Sequence, residues 1–296
     1  MSSPAETIEK PADRKDHAGH DPVKRTAREA LADAARRLAA VSDTARLDAE
    51  LLMAHALGVE REALLLGDQD RLAPAGFPAF VERRLAREPV AYIIGRRDFW
   101  TIRLMVGPGA LVPRPDSETL IEAAMAHFGG NGPATVLDLG TGPGTLLLAA
   151  LAQWPDARGL GVDASPEALA YAERNAAALG LAARAAFRLG DWAEALEGRF
   201  DLILCNPPYI EAGAALPPDV ADWEPAEALY AGPDGLDDYR RLAPMLPRLL
   251  APGGIACVEI GQGQRDIVAA LFAAEGFTIE SRADLRGIDR ALVLRA

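Results

Sequence analysis

The feature that most narrows the folds open to this chain is the apolar run Val136-Leu137-Asp138-Leu139. It passes directly into Gly140-Thr141-Gly142-Pro143-Gly144 and then into a helix-forming stretch from Thr145 to Trp154. Glycines at such a turn permit positive φ and let a ligand approach the backbone, and the helix that follows offers unpaired N–H groups. The next strand, Gly159-Leu160-Gly161-Val162, ends in Asp163, placed to accept hydrogen bonds from both hydroxyls of a ribose. Strand, glycine loop, helix, strand and acid in that order specify an α/β sheet with a nucleoside-containing ligand at its rim. The loop is spaced G-x-G-x-G, not the G-x-G-x-x-G of a pyrophosphate cradle, and its tight approach suits an amino-acid moiety.

A second run, Phe200-Asp201-Leu202-Ile203-Leu204-Cys205, stops abruptly at Asn206-Pro207-Pro208-Tyr209. Neither proline can donate to a sheet ladder, so the strand ends at Cys205 and presents Asn206 at its tip. The prolines also restrict the residues before them, which holds Asn206 and Tyr209 in a stiff loop. The Asn206 side-chain oxygen and the Pro207 carbonyl form an uncharged pair of acceptors that fits a planar NH2 group. The same four residues also suit a plain turn whose asparagine caps neighbouring backbone. Between these runs, Phe187-Arg188-Leu189 reads as a third strand ending at Gly190-Asp191-Trp192. Trp192 could stack on a purine with Asp191 accepting from an exocyclic amine, or be a half-buried strand-end indole beside a capping acid. Later elements are a helix from Asp238 to Leu250, a turn at Pro252-Gly253-Gly254, a strand Ile255 to Ile260, a helix Gln264 to Ala274, and strands near Phe277 to Arg282 and Ala291 to Arg295. The tally is about seven strands, mostly parallel with an antiparallel end.

The N-terminal part is different. Residues 1–25 lack an apolar period and read as a disordered extension. From Thr26, helical patterns follow with Leu31, Ala34, Ala35 and Leu38 on one face. Leu47, Leu51 and Ala54 face inward on the next, which stops at Gly58. A short helix over Glu60 to Leu66 and another over Pro74 to Arg87, with Phe77, Val81 and Leu85 in register, complete a bundle spanning 26–88. Residues 89–115 read as a β-hairpin and linker, with Tyr92, Phe99 and Trp100 around a turn at Gly95-Arg96-Arg97-Asp98. Asp116 or Ser117 can cap a helix beginning near Glu118, where the domain spanning 116–296 starts. The segment Glu211 to Tyr230 is long for a loop and reads as a substrate-facing lid.

Charge and cysteine content exclude several classes. A formal net charge of −12 argues against a protein that wraps nucleic acid by general electrostatics. Two cysteines, Cys205 and Cys257, each in an apolar run, read as buried thiols in a reducing compartment, and no metal-ligand spacing is present. No apolar segment reaches membrane-spanning length, so the expectation is a soluble, cytoplasmic protein.

Taken together, Asp138 to Gly144, Asp163, Asp191-Trp192 and Asn206-Pro207-Pro208-Tyr209 resemble the S-adenosylmethionine-dependent class I methyltransferases. Leu111 to Glu118, Tyr92 to Gly95 with Phe99-Trp100, Glu224-Pro225, and Gly232 to Leu236 with Tyr239-Arg240 narrow the likeness. They are similar to the bacterial peptide chain release factor glutamine N5-methyltransferase family, from Thr26 to the C-terminus. The resemblance implies a Rossmann-like seven-stranded class I methyltransferase sheet carrying a small N-terminal helical bundle that docks the substrate. It implies Gly140, Thr141, Gly142, Pro143, Gly144, Asp163, Asp191, Trp192 and Asn206 against S-adenosylmethionine, and Asn206, Pro207, Pro208 and Tyr209 against the substrate, with Asn206, Pro207 and Tyr209 catalytic and Tyr209 packed on the amide plane. Arg114 and Glu118 are expected to border the site. The implied substrate is the glutamine of the Gly-Gly-Gln loop in class I release factors, with neither a membrane nor direct nucleic-acid partner. A ribosomal-protein glutamine and an exocyclic base amine are the competing acceptors. Family members commonly have threonine where Ser117 stands and a small hydroxyl residue where Pro143 stands.

Overall fold

A computed structural model describes residues 25–296; the expected extension over 1–25 lies, apart from Arg25, outside the described residues. The described residues begin with five α-helices: α1 (Ala27–Leu38), α2 (Ala45–Leu57), α3 (Arg61–Leu66), α4 (Phe77–Leu85) and α5 (Val90–Ile94). A reciprocal cap sets the start of α1, in which the Thr26 hydroxyl accepts from Glu29 N–H and the Glu29 carboxylate accepts from Thr26 N–H. Leu31, Leu38, Leu52, Met53, Leu64, Phe77 and Val81 form a core of their own.

The buried face of α2 is rotated from the expected one. Ala54 is buried as expected, but Asp48, Ala49, Leu52 and Met53 turn inward with it, Leu51 is half-buried and Leu47 is 40% exposed. The rotation is possible because the buried acids are paired. Asp48 Oδ2 accepts from Arg84 Nε at 2.8 Å, and Glu50 accepts from Arg46 and Arg61. Arg84 also reaches Asp219, 3.3 Å away in the segment that follows the Asn-Pro-Pro-Tyr stretch. Arg84→Ala is expected to lower the unfolding free energy by about 3–5 kcal/mol, because it strands Asp48 as a buried charge. Asp219→Ala, at a partly exposed partner, should cost under about 1 kcal/mol. Paired urea melts check both.

The expected hairpin exists, but its turn is displaced. Val90 to Ile94 is helical and Gly95 closes it in the left-handed region, so the strands are β1 (Arg96–Phe99) and β2 (Ile102–Met105) around Trp100-Thr101. Trp100 takes a positive φ of 54°, a strained state for a bulky residue. Glu118 holds it there by accepting from Trp100 N–H at 2.9 Å, and the Trp100 indole donates to Gln153.

The remainder is a sheet flanked by helices: α6 (Glu118–Phe128), β3 (Thr135–Leu139), α7 (Thr145–Gln153), β4 (Arg158–Asp163), α8 (Pro166–Ala178), β5 (Ala185–Leu189), β6 (Phe200–Cys205), α9 (Pro218–Ala221), α10 (Asp237–Leu242), α11 (Leu246–Leu249), β7 (Leu250–Glu259), α12 (Arg265–Ala274), β8 (Thr278–Ala283) and β9 (Asp289–Arg295). The seven strands run β5-β4-β3-β6-β7-β9-β8, parallel from β5 to β7 and antiparallel at β9 and β8. The single helix expected over Asp238 to Leu250 is two helices, α10 and α11. Pro252-Gly253-Gly254 is an excursion inside β7, across which the pairing jumps from Phe200↔Leu250 to Leu202↔Ile255. Because β3 pairs with both β4 and β6, chain direction across the sheet reverses there and opens a crevice at the strands' carboxyl ends. Next to that crevice, Ile210 bridges Tyr230, with Ile210 N–H donating to Leu229 and Ala231 N–H to Ile210. This clamp closes the excursion over 211–229 at its base.

Candidate active site

A cavity of ≈ 390 Å³ fills the crevice. Its walls bring together Gly140 to Pro143, Asp163, Asp191, Trp192, Asn206 and Pro208 with Arg114, Ser117, Asp138, Glu227 and Asp238. Gly144 caps α7 behind the loop with φ 86°, where a Cβ would meet Leu148 at 2.8 Å. Pro207 and Tyr209 are absent from the cavity wall. Tyr209 instead turns its hydroxyl inward to Glu259, 3.4 Å away. Glu118 is occupied with Trp100, so of the expected pair only Arg114 borders the cavity. Glu224 anchors that residue: its carboxylate accepts from Arg114 at 2.5 Å and from Val112 N–H at 3.0 Å.

Asp138 underlies the glycine loop. One of its oxygens accepts from the Thr141 hydroxyl at 2.7 Å and from Leu147 N–H at 3.1 Å, while the other has no partner. Burial pushes its carboxyl up to about 7 against the pull of those donors. Asp163 accepts from Gly142 N–H at 2.7 Å and from Ser165 N–H at 2.9 Å. Burial raises its pKa, with the backbone donors opposing. Each oxygen so engaged retains a second lone pair for a ligand hydroxyl. The proline in the loop costs a donor, but its carbonyl is used: Asn175 Nδ2 donates to Pro143 at 2.9 Å and to Met105 of β2 at 3.0 Å.

Trp192 stands at φ 47° with its ring against Gly140, where a Cβ would lie 3.1 Å from the indole. Gly140 itself has φ 71°, so both conformation and space call for glycine. The indole N–H donates to Asp238, not Asp191, at 3.1 Å. Asp191 instead accepts from Arg241 at 2.5 Å. Asn206 Nδ2 donates to the Ser117 hydroxyl at 3.2 Å. Ser117 sits at the start of α6 without capping it, contrary to expectation; its side chain is turned to Asn206. Among the described residues nothing donates to Asn206 Oδ1 or to the Pro207 carbonyl.

Asp138 is expected only as the first residue of the cofactor-loop motif, and Ser117, Asp238 and Glu259 are not among the expected site residues. Asp138 and Glu259 did carry a signal, each being an acid inside an apolar strand run. Ser117 falls in the Leu111 to Glu118 motif without a role attached, and Asp238 carries no signal; their partners lie 89 and 46 residues away.

A glycine loop shaped by positive φ, an acid with spare lone pairs at the second strand tip and an indole wall over the loop fit the amino-acid, ribose and base parts of S-adenosylmethionine. Sheet order and site together define a class I S-adenosylmethionine-dependent methyltransferase. Residues 29–95 match the family model described as PrmC N-terminal domain and residues 132–275 the one described as Methyltransferase domain. The release factor glutamine methyltransferase of Rhodospirillum rubrum is 50% identical over 84% of this chain and 78% of its own. The one of Cereibacter sphaeroides is 48% identical over 91% and 98%. A solved protein-(glutamine-N5) methyltransferase (release factor-specific) from Alicyclobacillus acidocaldarius is 30% identical, with a TM-score of 0.39 over 64% of this chain and 96% of that one. The chain belongs to the release factor glutamine methyltransferase family, as its sequence relatives establish.

Among the described residues, no helix is long and apolar enough to cross a membrane, and no group of three or more His, Cys, Asp or Glu could hold a metal ion.

Proposed function

We propose that this enzyme transfers a methyl group from S-adenosylmethionine to the side-chain amide nitrogen, N5, of the glutamine in the Gly-Gly-Gln motif of class I peptide chain release factors. The observation that carries this reading is the Asn206 amide, whose Nδ2 is tied to Ser117 while Oδ1 is left without a protein partner. That oxygen and the Pro207 carbonyl each accept one N–H of a flat carboxamide. When bound, S-adenosylmethionine supplies a methyl group on a sulfonium sulfur that keeps the bonding pair as the methyl leaves.

An amide nitrogen is a weak nucleophile because its lone pair is delocalised into the carbonyl. The residues therefore act by placement and by local electrostatics. Asn206 and Pro207 hold the nitrogen in line with the methyl group and stabilise the positive charge that grows on it, after which its proton passes to solvent. Pro207 and Pro208 keep the loop stiff, and Tyr209 braces it from beneath. Asp163 accepts from the ribose, and Gly140 to Gly144 receive the amino-acid part. Trp192 and Asp191 flank the base.

In this reading residues 26–88 dock the protein substrate, 89–115 link, and 116–296 carry out transfer in the cytoplasm. The core of its own in the helical part supports treating it as a separate unit, and two buried free thiols support the cytoplasmic assignment. Incubation with labelled cofactor and a purified class I release factor, followed by mass mapping, tests the proposal. Label on the Gly-Gly-Gln glutamine is expected. Label confined to a ribosomal protein or a nucleobase would overturn it.

A further inference from the structure

We infer that Glu259 and Ser117 are positioning residues that decide which end of the Asn206 amide faces the substrate, an inference that rests on the transfer reading above. Glu259 closes β7, beside the strand that presents Asn206, and is 1% exposed. Its Oε1 receives the Tyr209 hydroxyl and its Oε2 is buried without a partner, while the Ser117 side chain lies close enough to favour the charged carboxylate. Ser117 is itself 2% exposed, and its oxygen accepts from Asn206 Nδ2.

The Ser117 hydroxyl has no other acceptor among the described residues, so the charge on Glu259 decides where its proton points. An ionised carboxylate only accepts, so the Ser117 proton points at Glu259 and the serine oxygen turns lone pairs towards Asn206. Those lone pairs take only an N–H, which leaves Oδ1 outward. A neutral or absent carboxyl releases the serine proton to donate to Oδ1. The amide then turns round and sets its NH2 against the NH2 of the substrate. A carboxyl group buried with one oxygen unpaired costs folding energy, and replacing it with a packed apolar residue is often neutral or stabilising. Stability alone therefore gives no reason for glutamate at 259.

The test uses the full chain with a release factor as substrate. Glu259→Leu and Ser117→Ala should lower kcat roughly 10-fold or more, short of the roughly 10²–10³-fold loss on removing an oxyanion-hole donor. The thermal midpoint of Glu259→Leu should be unchanged or higher, and cofactor affinity unchanged in both. Ser117→Thr keeps the hydroxyl and should stay near the wild-type rate.

The pH profile separates orientation from packing. Burial raises the Glu259 carboxyl to about 7 against the Ser117 hydroxyl, Arg290 and Tyr209, with Asp116, Tyr239 and Cys205 also facing it. The wild-type kcat should fall as pH drops below that value and Glu259 takes up a proton. Glu259→Leu should lose this acid limb while retaining Asp138. Equal rates for Ser117→Ala and Ser117→Thr, or a wild-type kcat and acid limb in Glu259→Leu, would overturn the inference alone. A wild-type enzyme that leaves the glutamine unmodified would instead overturn the transfer reading.

Discussion

Asn206→Ala is expected to lower kcat by roughly 10²–10³-fold, the range seen when one preorganised hydrogen-bonding group is taken from a reacting centre. The substitution removes Oδ1, the acceptor that the Ser117 contact leaves without a protein partner. With only the Pro207 carbonyl left, the substrate amide can rotate about its remaining hydrogen bond, and the nitrogen loses its alignment with the methyl group. Cofactor affinity should change little, because the glycine loop, Asp163 and Trp192 are intact. Single-turnover rates at saturating cofactor, with titration calorimetry alongside, separate the two effects. A variant that transfers at the wild-type rate would remove Asn206 from the mechanism.

Asp163→Ala should have the opposite signature, weakening cofactor binding by roughly 100-fold or more. Two hydrogen bonds to a charged group, at roughly 1.5–3 kcal/mol each, account for that loss. The carboxylate also receives Gly142 N–H and Ser165 N–H, so its removal frees the glycine loop as well as the ribose. Asp163→Asn serves as the control. It preserves size and one acceptor but puts donors where the backbone N–H groups point, and it should recover only part of the affinity. An unchanged dissociation constant in the alanine variant would move the ribose site elsewhere.

Features that depend on neighbours in the chain were legible in the sequence. The strand, glycine loop, helix, strand and Asp163 are consecutive, and the two prolines after Asn206 mark a strand end wherever it lies. Features that depend on distant partners were not. The buried face of α2 was misjudged because Asp48 and Glu50 look solvent-facing until Arg84, Arg46 and Arg61 are in place. The hairpin turn was set at Gly95 by glycine preference. The chain uses that glycine to end α5 and places a strained Trp100 in the turn, with Glu118 to hold it. Glu118 was accordingly expected at the site for a chemical reason and is found in a structural role. Position before a helix suggests Asp116 or Ser117 as a cap, yet the Ser117 side chain bonds with Asn206.

The clamp between Ile210 and Tyr230 uncouples the length of the excursion from the position of its two ends. Within 211–229, Glu224 holds Val112 and Arg114 and Glu227 lines the cavity, so only the part before Glu224 can change length without moving a wall of the site. Asn206, on the near side of the clamp, keeps its place at the tip of β6 whatever the length of that outer part.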